Sequence, residues 1–378
     1  MDANEKILIL GGTGHFGARI SRRLACVPGI ELLVTGRDAF RAEVLVDEIL
    51  NLNPDSRITA LRLDQESDDF EAELRAISPF CVVSAAGPFQ GQDYRVARAC
   101  IELGCHYIDL ADGREFVANF RSLYQQAREA GVVLISGAST LPGISSAVVA
   151  GFEARFSRIR RIETSIAPAG RTPLGRGTLA AVLSYCGRPF EAWVDGRWQT
   201  RYGWQDLRRQ EFPELGRRLS AAYSVPDLDL LPRRVPGIET VTFHAALGSQ
   251  LEQLVLWTMA WLTRIKLVSD WSKHARRLAG LSRRMQRHGS DWGGMKVTIA
   301  GDDHDGQPLC IDWYMTARDN HGPEIPCTPA IVLVKKLLRD EFLERGAVAC
   351  ISLFTLDELQ RELANYSIST RVEERTEF

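Results

Sequence analysis

Short apolar runs recur through the first third of the chain, each followed by a stretch whose apolar positions fall three or four apart. The runs are Ile7–Leu10, Glu31–Thr35, Ile58–Leu63, Phe80–Ala85, His106–Asp109 and Val132–Ile135. Their length and near-continuous hydrophobicity predict strands buried on both faces. Between the first two, Phe16, Ile20 and Leu24 share one helix face. Further helices are expected from the Asp38 cap to about Leu50, around Phe70 and Leu74, from the Asp93 cap to Gly104, and as one long helix ending at Gly131. Strictly alternating strands and helices predict a doubly wound parallel sheet of the Rossmann type, an α/β fold. Right-handed crossovers then bring the carboxyl ends of the strands to one edge, where such sheets bind ligands.

The pattern changes further on. Asp195-Gly196 and Asp305-Gly306 each divide two alternating runs, which is a hairpin signal. With helical stretches around 251–265 and 270–288, this predicts a second, α+β domain built on an antiparallel sheet. Amphipathic helices are expected again at Pro329–Phe342 and Asp357–Leu363, and only the last half-dozen residues read as disordered. The division expected is a dinucleotide-binding domain at 1–140 completed by 325–378, and a substrate and dimerisation domain at 141–324. The tryptophans agree with a boundary: all eight lie between Trp193 and Trp313.

Composition narrows the function classes. With 378 residues, 45% hydrophobic and 25% charged, the chain has the make-up of a globular protein with a sizeable core. A net charge of −2 gives no global field for nucleic acid or an anionic membrane. Eight cysteines without a C-x-x-C pair read as free thiols, and with no signal-peptide pattern the expectation is a cytoplasmic protein. The apolar stretch Leu251–Leu262 is too short to span a bilayer and reads as a buried or subunit-interface helix. Asp302-Asp303-His304-Asp305 sits at a hairpin tip, where adjacent side chains cannot converge on one ion, so no metal site is expected.

The chemistry is concentrated after the first strand. Gly12-Thr13-Gly14-His15-Phe16-Gly17 is a G-x-G-x-x-G element in the strand–turn–helix context that dinucleotide binding requires. The expected roles are a tight turn at Gly12, pyrophosphate approach at Gly14 and helix–strand packing at Gly17, with the phosphates held by the helix N-terminus. An NAD enzyme normally places an acidic residue at the end of the second strand. Here Thr35-Gly36-Arg37 stands there, and an arginine suits a 2′-phosphate, so NADP is expected over NAD. No lysine lies between Lys6 and Lys266, which excludes a Tyr-x-x-x-Lys pair or a Schiff-base lysine from the sheet domain.

In its motifs the chain resembles the saccharopine dehydrogenase-like family of NAD(P)-dependent oxidoreductases. The resemblance lies in Gly11–Gly17, Thr35-Gly36-Arg37, Ala85-Ala86-Gly87-Pro88-Phe89, His106–Asp109 and Leu141-Pro142-Gly143-Ile144, and loosely in the segment from Gly322-Pro323 to Leu338. It implies that Gly12, Gly14, Gly17, Arg37, Asp64 and the Ala86-Gly87-Pro88 turn line the cofactor. It also implies hydride transfer to or from an imine, amine or carbonyl, although a lysine-based mechanism does not carry over.

Among polar groups at the carboxyl edge (Tyr107, Asp109, Asp112 and Glu115, with His106 at the strand start), Asp109 is the leading catalytic candidate, or else a loop-fixing aspartate. From the second domain, Arg176 and Thr178 suit a substrate carboxylate or phosphate, or open an ordinary helix, and His321 precedes the return to the first domain. Two function classes follow. One is an NADP-dependent oxidoreductase, expected as a homodimer, acting on a small amine, imine or carbonyl. The other is a catalytically silent NADP-binding partner or sensor.

Overall fold

A computed structural model describes residues 4–170, 176–274, 280, 290–342 and 344–376, with burial not described for 171–178. The chain forms two compact units, one from 1–143 with 324–354 and the other from 144–323 with 355–378.

The first unit contains strands β1 (Glu5–Leu10), β2 (Ile30–Gly36), β3 (Ile58–Arg62), β4 (Cys81–Ser84), β5 (His106–Asp109) and β6 (Val133–Ser136). Helix α1 (Gly17–Leu24) follows β1. Ile7, Leu8, Ile9, Val82, Val83 and Ile108 are fully buried, as strands covered on both faces require. The helix expected to run to Gly131 is in three pieces: Arg114–Ala118, a 3₁₀ turn at Phe120–Leu123, and Tyr124–Glu129. Phe116, Phe120 and Leu123, spaced i, i+4 and i+7, are all buried along this broken segment.

The second unit carries β7 (Arg158–Ala167), β8 (Pro189–Val194), β9 (Arg197–Tyr202), β10 (Arg208–Phe212), β11 (Gly216–Ala222), β12 (Thr240–Ala246), β13 (Gly293–Asp302) and β14 (Pro308–Ala317). Both predicted hairpins form: Asp195 and Gly196 take φ of 51° and 72° between β8 and β9, as a type I′ turn needs. At the other, Asp303 Oδ1 accepts from the backbone N–H of Asp305 and Gln307, so the acidic tip is a self-fixed turn. The helix expected over 270–288 lies largely outside the described residues.

After β14 the chain supplies the first unit with a helix (Thr328–Leu338) and β15 (Gly346–Ala349), which pairs in parallel with β6. The first sheet is therefore seven parallel strands in the order β15-β6-β5-β4-β1-β2-β3, reversing direction between β1 and β4. That reversal is the switch point where doubly wound sheets bind ligands.

The final segment corrects the expected division. Residues 355–378 belong to the second unit, because β16 (Ile368–Arg375) pairs with β14 along its whole length. An edge strand as charged as this one reads as a tail until its partner is known. The second sheet has nine strands, and it is mixed rather than purely antiparallel, since β7 and β12 run parallel. Its buried polar centre is Asp312, which receives Lys296 Nζ at 3.2 Å as well as hydrogen bonds from Thr298 and Arg375.

Candidate functional site

Between β1 and α1 the backbone turns at Gly11, whose φ is +69°. The tight turn expected of Gly12 is thus made one residue earlier. Gly12 is required for space instead: a Cβ there would lie 2.7 Å from Val34 Cγ1. Gly12 N–H donates to Thr35 O at 2.8 Å, locking the turn onto β2. At Gly17 a Cβ would sit 2.2 Å from Gly11 O, so only glycine lets α1 begin so close to the strand end. Gly14 differs, since a Cβ there would meet only Gly11 O, at 3.0 Å, and its other side is open.

Helix α1 has no side-chain cap and no acidic residue in its first turn, while Arg22 and Arg23 occupy its last turn. Its positive dipole end and first N–H groups are left to something other than a capping side chain. A segment remote in sequence holds this loop. Arg19 donates to His15 O at 2.6 Å and pairs with Glu324 at 3.0 Å, and the Cys327 thiol donates to Phe16 O. Burial, then the Arg19 charge, lowers the pKa of His15, so its ring is neutral at pH 7. Sequence reasoning missed Arg19 and Glu324, whose only signal is the i,i+4 spacing of His15 and Arg19.

The neighbouring strand ends complete the edge. Gly36 closes β2 with its Cα against Thr13: a Cβ would be 3.1 Å from Thr13 Oγ1. Arg37 follows and is exposed. Asp64, just beyond β3, accepts from Glu66 N–H at 3.2 Å. After β4, Ala86 and Pro88 carbonyls both accept from Gln92 Nε2, while Gly87 is exposed with nothing nearer to a Cβ than Phe89 at 3.6 Å. Gly12, Thr13, Gly14, Arg37 and the 86–88 turn therefore stand on the ends of adjacent strands in one sheet.

Asp109 departs from the expectation of a cleft-facing catalytic acid. Its side chain is fully buried, and Oδ1 accepts from Ala111 N–H, Gly137 N–H and Ser136 Oγ at 2.8–3.0 Å. Burial raises its pKa to about 6 against the lowering effect of those hydrogen bonds. This is a carboxylate fixing the β5 and β6 loops, the other reading its position allowed. Asp112 is exposed and accepts from Gln90 at 3.1 Å. His106 packs edge-on against Phe80 at the opposite end of β5, and its Nδ1 accepts from Val133 N–H at 3.0 Å.

In the second unit, His321 Nδ1 accepts from Ser367 N–H at 2.9 Å and the ring lies edge-on to Tyr366. Arg176 opens a helix to Ser184, but the side chains of Arg176 and Thr178 lie outside the described residues. Ser145 donates to Asp227, a pair the sequence did not signal; burial pushes the Asp227 carboxyl up to about 7.

Residues 7–135 match the family model described as the saccharopine dehydrogenase NADP binding domain. The match lies within the first unit and covers 129 of the 378 residues. The chain has the fold of the apo saccharopine dehydrogenase (L-Glu forming) from Saccharomyces cerevisiae. The TM-score is 0.71 at 13% identity, over 98% of this chain and 100% of the yeast one. Weaker likenesses are to the WlbA dehydrogenase from Thermus thermophilus, solved with NAD and alpha-ketoglutarate (11% identity, 95% and 92% of the chains, TM-score 0.42), and to sorbitol-6-phosphate 2-dehydrogenase from Erwinia amylovora (18%, 35% and 69%, 0.28). No curated protein matches the sequence. Among the described residues no helix is long and apolar enough to cross a membrane, and all eight cysteines are free thiols.

Proposed function

We propose that this chain is an oxidoreductase that uses NADP(H) and transfers hydride to or from the carbon of a small imine, amine or carbonyl compound, with an amino-acid-like substrate the leading class. The observation that carries the cofactor choice is the adjacency of Gly36-Arg37 to Thr13, with the next acidic side chain, Asp38, turned to cap the following helix at Arg41 N–H. A dinucleotide whose pyrophosphate lies on Gly14 and the uncapped start of α1 brings its ribose to the end of β2, where Arg37 supplies fixed planar donors for a 2′-phosphate. When bound, the nicotinamide supplies the hydride or accepts it. The chain's own part is to hold and orient: Gly12 and Gly17 set the loop, Asp64 edges the β3 side, and Gly87 leaves room beside the β4 end.

Asp109 acts in this reading as a positioning residue for the loop after β5. His321 and Arg176 are the groups proposed to meet the substrate. Because Nδ1 of His321 accepts a backbone N–H, the proton of the neutral ring is on Nε2, which is then the nitrogen able to donate. The amino-acid class is supported by the whole-chain fold likeness to the yeast L-Glu-forming enzyme.

Titration with NADPH and NADH tests the cofactor: wild type is expected to prefer NADPH, and Arg37→Asp to lose at least tenfold, about 1.4 kcal/mol, with NADH unchanged or improved. Equal affinity of wild type for both refutes it. NADPH oxidation with a panel of amino acids paired with keto acids tests the reaction; tight NADPH binding with no turnover on any member would favour the silent sensor. For His321→Ala and Arg176→Ala, turnover should fall while NADPH affinity and melting temperature hold.

A further inference from the structure

The helix Gln250–Arg264 of the second unit is amphipathic in an unusual sense, because its outward face is also apolar. Gln253, Leu256, Met259 and Ala260 are buried, and Leu256, Met259 and Ala260 pack with Trp204, Leu183 and Ala221. The approach is close: a Cβ on Gly187 would lie 2.2 Å from Ala260 O. On the opposite side Leu251 and Ile265 are 63% and 64% exposed, and Leu254, Val255 and Trp261 are exposed by 39–43%. With Leu267 just beyond the helix at 71%, these side chains present roughly 600 Å², the upper edge of what a monomer leaves as one apolar patch.

The order of residues on that face says what fits it. At 100° per residue, Leu251, Leu254, Val255, Thr258, Trp261, Leu262 and Ile265 occupy about a third of the circumference, centred on Thr258. Leu251 and Ile265, Leu254 and Leu262, and Val255 and Trp261 stand at equal distances in sequence on either side of Thr258. A twofold axis through Thr258, perpendicular to the helix, therefore brings each member of a pair against its counterpart on an antiparallel copy, and every such meeting is apolar on apolar. Thr258 is short, and its hydroxyl donates to Leu254 O at 2.9 Å, so closing the crossing point strands no donor. Isologous contacts need such self-complementary patches, and two of these faces together bury about 1,000 Å² or more, the lower bound of a specific interface.

We propose that this helix is a homodimer contact, in which it packs antiparallel against the same helix of a second copy with the twofold axis at Thr258. The inference concerns a surface remote in sequence from the glycine loop and stands whether or not NADP is the cofactor.

The test uses the full chain. Analytical ultracentrifugation at micromolar concentration should give a dimer for wild type. Thr258→Arg sets two like charges against each other on the axis and should weaken the dimer at least a hundredfold, with melting of the monomer and NADPH affinity preserved. In a Cys26→Ser background, which removes the one exposed native thiol, Thr258→Cys should form a covalent dimer on mild oxidation, whereas Gln250→Cys, off the axis, should not. A wild type that is monomeric, a dimer indifferent to Thr258→Arg, or absence of the cross-link overturns the proposal. So does a monomer that sediments with phosphatidylcholine or phosphatidylserine vesicles, which would assign the face to lipid.

Discussion

Gly14 and Gly17 sit in the same six-residue motif, yet alanine at each should fail in a different way. At Gly17 the added Cβ meets three backbone atoms, Gly11 O, Gly11 C and Gly12 Cα, at 2.2, 2.8 and 2.8 Å. None belongs to a side chain that can rotate aside, so α1 must move off the strand end. Overpacking of this kind costs about 1–3 kcal/mol, and rigid backbone on all three contacts argues for the top of the range. Replacing a helical glycine by alanine returns at most about 1 kcal/mol. The net loss is about 2 kcal/mol, which for a unit of this size lowers the melting temperature by roughly 4–8 °C. At Gly14 the backbone is not left-handed, and the methyl meets one oxygen at 3.0 Å, so the fold should change by less than about 1 kcal/mol. That methyl, however, projects into the space the pyrophosphate requires, and NADPH affinity should fall at least tenfold, about 1.4 kcal/mol. Differential scanning fluorimetry and NADPH titration on the two variants separate the effects. Gly14→Ala binding NADPH like wild type would refute the placement of the phosphates, and Gly17→Ala melting like wild type would refute the packing argument.

Other outcomes follow from charge. Asp227 is raised to about 7 by burial; a carboxyl raised on folding contributes stability that is fully present below its unfolded pKa of about 3.9 and lost as pH rises through its folded value. Stability should therefore fall between about pH 4 and 7, by roughly 4 kcal/mol if Asp227 ionises in place, and Asp227→Asn should flatten that fall. His106, lowered to about 4 by burial and then the Arg345 charge, has the opposite slope, so the comparison must be variant against wild type in chemical denaturation at each pH. Lys296→Met leaves the buried Asp312 carboxylate one cation short and should destabilise by about 2–4 kcal/mol; unchanged unfolding midpoints would show that Arg375 suffices. Asp109→Asn keeps the acceptor used by Ala111, Ser136 and Gly137 and should keep turnover within a fewfold, whereas Asp109→Ala should unfold more easily.

The first sheet was legible because its strands are covered on both faces and so appear as unbroken apolar runs, each closed by glycine or a capping residue. Where that rule lapses, reading failed. Strand β15 is four small residues, Gly346–Ala349, with too little hydrophobicity to stand out beside the helices around it. Strand β16 carries four charged residues, Arg371, Glu373, Glu374 and Arg375, as an edge strand does, and local sequence does not show that β14 lies beside it. The parallel pairing of β7 with β12 joins strands far apart in the chain, which hairpin signals cannot report.

The candidate site divides along the same line. Glycine positions were legible because they are dictated by backbone contacts within one turn, and even the misplaced role of Gly12 was off by a single residue. Asp109 was ambiguous for a physical reason: the end of a parallel strand places a carboxylate equally well for a ligand and for the N–H groups of the next loop. Burial decides between them, and burial depends on Ser136 and Gly137, which arrive from another strand. A carboxylate whose Oδ1 already accepts three hydrogen bonds has its geometry set by the fold. Moving it to meet substrate would strand Gly137 N–H and Ala111 N–H in the interior, at about 1–3 kcal/mol for each donor left unpaired. The chemistry is therefore better sought in groups that the fold does not hold in its interior in this way. His321 Nε2, free of the bond that fixes Nδ1, is the one to test first.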